Sequence, residues 1–242
     1  LKFVKIDRAE LNVSDPLDEE NIRVPDLKSK LEILFPSNNQ PKKKDALKLM
    51  LLDLSSYFST DADSREYNVL EPPLGLMALM TYINKVFGDR VDGRLHKSLI
   101  DFDSHEELLE LVKNFNPDII GIRAMTFYSG FFHDSIAYLK KNGIDAPIVV
   151  GGPYPTASYA DILKDRNVAV AAIAEGELTL AEILEETMAN SNRFPDKETL
   201  KRIQGIAFFD DSVESALPEK DKDIAAIPIT RIMPDLIKAN LQ

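Results

Sequence analysis

The chain has 242 residues, 44% of them hydrophobic and 29% charged, with a formal net charge of −11 and no cysteine. That charge argues against nucleic-acid binding through a basic face. The absence of cysteine excludes disulfides, zinc–thiolate sites and iron–sulfur clusters held by this chain. No run of about 18 apolar residues is present to span a bilayer, and no signal-peptide pattern opens the sequence, so the expected setting is cytoplasmic, with no membrane partner. The first residue is Leu1 rather than methionine, and the chain is expected to be a fragment or a processed product.

Residues 1–45 are polar and carry Pro16, Pro25, Pro36 and Pro41. They read as an N-terminal extension or linker, with "VPDLKSKLEILFP" able to form one short helix. From residue 46 the pattern becomes regular. "ALKLMLLDLSS" reads as a strand, and "PPLGLMALMTYINKVFG" as a helix that starts after two prolines and stops at Gly88. "LHKSLIDF" reads as a strand. "SHEELLELVKNFN" reads as a helix with a capping box, Ser104 to Glu107. "DIIGIRAM" is a strand, "YSGFFHDSIAYLKKNG" a helix ending at Gly143, "PIVVGG" a strand and "TASYADILKDRN" helical. "VAVAAIA" is a strand, "ELTLAEILEETMAN" a helix and "IQGIAFFDD" a last strand.

Strand and helix thus alternate through five units, and the central strands are apolar throughout rather than alternating. This pattern belongs to a parallel sheet covered on both faces. The fold class is α/β: a Rossmann-like (flavodoxin-like) doubly wound sheet of five parallel strands, with an extra C-terminal strand and an N-terminal extension. The α/β domain is expected over residues 46–192, and residues 193–242 supply the extra strand and a connector.

In such sheets ligands bind beyond the carboxyl ends of the strands. After the first strand, "SSYFSTDADSREYNVLEPP" has no glycine, so the G-x-G-x-x-G turn of NAD or FAD binding is absent. Asp53 has no acidic neighbour there, which argues against a receiver domain. After the third strand, Thr126, Tyr128 and Ser129 offer hydroxyls, and Thr126 or Ser129 could equally be a helix N-cap. After the fourth come two glycines in "GGPYPT". After the fifth comes Glu175-Gly176-Glu177 at a helix start, where the carboxylates suit the helix dipole. No pair of groups suited to acid–base or nucleophilic catalysis is visible, so no catalytic residue is nominated. His96, His105 and His133 are not spaced as a metal site.

The segments "PPLGLMAL", "PDIIGIRAMT", "VVGGPYPT" and "AEGELTLAEIL", in this order and spacing, resemble the cobalamin-binding domain found at the N-terminus of radical S-adenosylmethionine enzymes. The resemblance covers about residues 47–235. It includes "IQGIAFFDD", similar to that family's extra strand, and "DIAAIPITRIMPDL", similar to the connector into the radical barrel.

The resemblance implies a corrin lying flat on the carboxyl edge of the sheet, with its nucleotide tail running down beside the sheet. The loops around the corrin would supply Ser55 after the first strand and Arg123, Met125 and Thr126 after the third. Gly151, Gly152, Pro153, Tyr154 and Thr156 would follow the fourth, and Glu175, Gly176 and Glu177 the fifth. At Gly151 and Gly152 a side chain would collide with ring or tail, which is the favoured explanation; close strand–helix packing alone is the second.

The D-x-H-x-x-G motif that supplies an axial histidine in related cobalamin proteins is not matched. The only D-x-H here is Asp103-Ser104-His105, with Leu108 where the glycine would be. The implied cofactor is therefore cobalamin in the His-off form. The iron–sulfur cluster and S-adenosylmethionine would belong to a missing domain. The implied role is the cobalamin module of a radical methyltransferase or cyclase, acting as a methyl carrier, with a radical S-adenosylmethionine domain as partner in cis or in trans.

Two positions depart from the family. Tyr154 replaces a common histidine, and Arg123 replaces a common serine or threonine. Arg123 would either crowd the corrin or pair with a propionamide oxygen or a phosphate. These departures motivate the alternative: a degenerate, non-catalytic member of the same fold serving as a protein-interaction module, with its pocket filled or collapsed. A flavin enzyme on a flavodoxin-like fold ranks behind both.

Overall fold

A computed structural model describes residues 41–61, 71–210 and 224–226. The chain divides into the units Leu1–Pro41 and Lys42–Gln242, and the architecture below belongs to the second. Three parts of the sequence reading lie outside the described residues: the short helix proposed before residue 41, loop positions 62–70, and the connector beyond 226.

The elements run β1 (Leu47–Asp53), α1 (Leu74–Phe87), β2 (Val91–Lys97), α2 (His105–Phe115), β3 (Ile119–Arg123) and α3 (Ser129–Lys141). They continue with β4 (Ile148–Gly151), α4 (Pro153–Ile162), β5 (Val170–Ala172), α5 (Glu177–Ala189), α6 (Lys197–Leu200), β6 (Ile206–Phe209) and β7 (Ile224–Ala226). The strands form one seven-stranded sheet in the order β2-β1-β3-β4-β5-β6-β7. The first five pair in parallel, whereas β6 and β7 are antiparallel additions. The doubly wound parallel sheet and its extra strand are thus as the apolar alternation predicts; α6 and β7 are further elements.

The order reverses between β1 and β3, and that reversal opens a crevice at their carboxyl ends. Alternation along the strands divides the core into two layers. Met50, Leu52, Ile120, Ile122, Ile148 and Val150 pack with Phe131, Phe132 and Leu108, which come from α3 and α2. Leu49, Leu51, Ile119, Val149 and Val170 face the other way, toward Leu76 and Ile83 of α1 and Leu180 and Leu184 of α5.

The second strand is displaced from its expected place. It occupies Val91–Lys97 rather than "LHKSLIDF". As an edge strand with β1 as its neighbour, it tolerates the polar residues of "VDGRLHK". The apolar residues that follow form a turn, in which Leu99 takes φ 68° and Ile100 is exposed.

Caps set the helix limits. Ser104 Oγ accepts from Glu107 N, and Glu107 Oε2 accepts from Asp103 N, so the anticipated capping exchange forms with the return bond one residue earlier. Neither Thr126 nor Ser129 caps by its side chain; residues Thr126–Tyr128 form a 3₁₀ turn leading into α3.

Candidate functional site

A cavity of about 310 Å³ opens at the carboxyl ends of the parallel strands, on the α1–α5 side of the sheet. Strand register explains its floor. Leu51 pairs with Gly121 and Gly121 with Val149, which makes one row across β1, β3 and β4. Asp53, Arg123 and Gly151 make the next row toward the carboxyl ends. The walls come from Gly75, Leu76 and Leu79 of α1 and from Glu177 and Leu180 of α5, with Glu175 and Gly176 at the rim.

The glycines divide by cause. Gly152 has φ 102°, and a Cβ there would lie 3.1 Å from the Ala124 carbonyl oxygen, so its missing side chain is demanded by the chain's own backbone. Gly151 is different. Its nearest neighbour to an added Cβ is Ala172 at 4.0 Å, and Gly75 has nothing within 4 Å. Gly151 and Gly75 therefore leave room in the wall that the fold does not need. The adjacent glycines of "IVVGGPYPT" thus have two separate explanations.

Beside the cavity, at the strand-order reversal, lies an ionic cluster. The Asp53 carboxylate is fully buried and receives Lys97 Nζ at 3.3 Å and Arg123 Nη1 at 3.3 Å. Lys97 Nζ also donates to Ser55 Oγ at 2.7 Å, and Ser55 N donates to Asp53 Oδ1 at 3.1 Å. Lys97 is itself buried, whereas the Arg123 side chain is 29% exposed and lines the cavity. One carboxylate between two cations leaves a net positive site at the cavity edge, where low dielectric strengthens its field. Across the cavity, Glu177 Oε2 is buried and has no hydrogen-bond partner among the described residues. A buried acceptor without a donor is costly, and it points to a ligand that brings one.

Of the residues nominated from the sequence, Arg123, Gly151, Gly152, Pro153, Glu175, Gly176 and Glu177 line this cavity. Ser55 belongs to the ionic cluster instead. Met125 and Thr126 lie in the loop leading to α3 and do not reach the cavity. Thr156 ties two loops together: its hydroxyl donates to Gly152 O at 2.8 Å and accepts from Ala174 N at 3.1 Å. Tyr154 turns to the opposite layer, edge-on to Phe132 and His133, and burial raises its phenol above the ordinary value.

His105 is held on the α2–α3 side, stacked on Tyr138 with Nε2 3.1 Å from Ser135 Oγ. His133 Nδ1 meets Asp165 Oδ2 at 2.7 Å, and His96 faces Asp101 at 3.7 Å. None of the three lines the cavity. Among the described residues no group of three or more histidine, aspartate or glutamate side chains is arranged to hold a metal ion.

The sequence reading missed Lys97 and the role of Asp53, together with Gly121, Leu51, Val149, Leu79 and Leu180. Gly121 carried a usable signal, because glycine inside a strand marks a close approach. A Cβ there would lie 2.6 Å from Leu51 Cδ2. Lys97 carried none, because its partner Asp53 is 44 residues away.

A family model, the B12 binding domain, matches residues 64–184. An uncharacterised methyltransferase of Pyrococcus horikoshii is 27% identical over 143 residues, which is 57% of this chain and 30% of that protein. Among solved structures, the cobalamin-dependent S-adenosylmethionine radical enzyme OxsB, with aqua-cobalamin and S-adenosylmethionine bound, superposes with a TM-score of 0.57 at 14% identity, covering 88% of this chain and 28% of that one. The radical S-adenosylmethionine methyltransferase TsrM from Kitasatospora setae, with cobalamin and a [4Fe-4S] cluster bound, gives a TM-score of 0.55 at 15% identity, covering 78% and 30%. At these identities the likeness is one of fold. The chain spans less than a third of the length of each of these relatives.

Proposed function

The chain belongs to the B12-binding domain family, and on that premise we propose that it is the cobalamin-holding module of a radical S-adenosylmethionine methyltransferase or cyclase. The corrin would lie over the carboxyl ends of β1, β3, β4 and β5, with its nucleotide tail in the cavity beneath. The observation that carries this reading is the cavity itself. Its floor and walls are opened by glycines that the fold does not require, and a buried Glu177 oxygen in it lacks a donor among the described residues.

The residues present suit the group. Gly75 and Gly151 let a ligand approach the backbone closely. The Arg123 guanidinium, anchored by Asp53 through Nη1, offers its remaining N–H groups to a phosphodiester or propionamide oxygen. The Glu177 carboxylate would accept from an amide or a ribose hydroxyl. Leucines and Val149 keep water from the tail. None of the three histidines lines the cavity, so the reading is of a corrin held without a lower-axial side chain from this chain. Bound cobalamin supplies methyl-carrier chemistry; the protein contributes orientation and a dry pocket. S-adenosylmethionine and the iron–sulfur cluster would be held by a radical domain, in cis or in trans, since this chain has no cysteine.

The alternative, a degenerate interaction module, calls for a filled or collapsed pocket. The open cavity favours the ligand. Hydroxocobalamin titration of the purified chain, followed by desalting, tests the choice. A corrin spectrum that is perturbed and retained is the expected outcome. A corrin that washes through removes the cofactor reading and directs the search to protein partners.

A further inference from the structure

The cavity is chemically layered along the strand direction. Arg123 and Gly151 form its outer row, and Gly121 and Val149, with Leu51 beside them, form the row two residues further in. At about 3.3 Å per residue the rows are roughly 7 Å apart. The helices repeat the gradient. Glu177 begins α5 at the rim and Leu180 lies one turn deeper; Gly75 is at the start of α1 and Leu79 one turn deeper. The charged lining groups Arg123, Glu175 and Glu177 are therefore all in the outer layer. The inner layer, Leu51, Val149, Leu79 and Leu180 around Gly121, has no hydrogen-bonding side chain among the described residues. The backbone of β3 there is engaged on both edges by β1 and β4.

From this gradient we infer that the inner layer selects the lower base of a corrinoid by polarity, taking dimethylbenzimidazole or a phenolic base in preference to a purine. The inference rests on the cobalamin reading above and adds to it a ligand class. An adenine lower base would bring several ring nitrogens and an exocyclic amine into a layer with no partner for them. Dimethylbenzimidazole brings a single free ring nitrogen and two methyl groups that match the leucines. Each buried polar group left unpaired costs on the order of ten-fold in affinity. The phosphodiester and ribose, common to both corrinoids, would meet Arg123 and Glu177 in the outer layer and do not discriminate between them.

The test is a spectroscopic titration of the full chain with three aqua-corrinoids: cobalamin, the adenine-based cobamide, and cobinamide, which lacks the nucleotide. Thermal stabilisation by each is read in parallel. Cobalamin should bind at least about ten-fold more tightly than the adenine cobamide, and more tightly than cobinamide. Leu79→Gln, at a partly buried wall position, introduces an amide into the apolar lining and should narrow the ratio between the first two. Equal affinity for cobalamin and the adenine cobamide, or an unmoved ratio in Leu79→Gln, overturns the selectivity. Cobinamide binding as tightly as cobalamin overturns the occupancy of the cavity by the base while leaving the corrin reading intact. Failure of all three to bind overturns both.

Discussion

On the α2–α3–α4 side of the sheet, Phe102, Phe131 and Phe132 fill the space above Leu52, Ile122 and Val150, and Tyr57 and Phe58 from the loop after β1 close over them. On the α1–α5 side the same strands contribute Leu51, Gly121, Val149 and Gly151, and the carboxyl half of that layer is a cavity. The strands are apolar on both faces; the difference lies in the size of the alternate residues. Toward α2, α3 and α4 the alternate positions carry branched side chains. Toward α1 and α5, β3 carries Gly121 at its centre and β4 ends in Gly151. One face is closed by packing, and the other leaves a cavity at the carboxyl half of the sheet.

Truncating a residue on each face should break the symmetry most visibly. Phe132 is fully buried, and Phe132→Ala should cost about 3–5 kcal/mol in a urea unfolding midpoint analysis. Leu79→Ala, on a wall that already faces open space, should fall well below the roughly 2 kcal/mol minimum of a core leucine. Equal losses would mean that the two faces are packed alike.

The adjacent glycines sharpen the same contrast at closer range. Gly152→Ala meets the Ala124 carbonyl in a conformation suited to glycine, and should lose about 1–3 kcal/mol. Gly151→Ala meets nothing closer than 4.0 Å and should leave stability unchanged or raise it by up to about 1 kcal/mol. Gly151→Leu should keep the fold while reducing the corrin retained after desalting.

The smallest effect is a pH dependence of the packed face. Burial lowers the pKa of His105 below 6.5, against the opposing pull of Glu106 and Asp134. Below pH 6.5 the unfolded chain takes up a proton that the folded chain resists, so stability falls as pH falls from there toward the folded-state pKa. His105→Phe keeps a ring against Tyr138 and Phe58. Its loss of stability between pH 7.5 and 5.5 should be smaller than that of the parent chain.

Much of this was legible in the residues. Helix α1 begins behind Pro72 and Pro73 and ends at Gly88, and α2 begins at Ser104 with Glu107 returning the cap, because these signals act over a few residues. The glycines and carboxylates after β4 and β5 were identified because a parallel sheet directs attention to its strand ends. What failed was whatever depends on a distant neighbour. The edge location of β2 allowed a polar strand where an apolar run was expected. Tyr154 follows directly on cavity-lining Gly151, Gly152 and Pro153 yet turns to the opposite layer, because the first turn of α4 directs its ring at Phe132 and His133. Arg123, which could crowd a ligand or bind it, has its guanidinium held by Asp53, its register partner on β1.

By itself, the sequence determined the doubly wound α/β class, the limits of α1, α2 and α5, and the strand-end motifs that resemble the family; α4 runs over Pro153–Ile162 rather than the expected "TASYADILKDRN". Hydrophobic period, proline and glycine act locally and are written in consecutive residues. Tertiary structure decided which face of the sheet opens, that Asp53 joins Lys97 to Arg123, and that the lining passes from charged to apolar with depth. These depend on strand order and register, which bring residues tens of positions apart into one row, and no local pattern encodes that alignment.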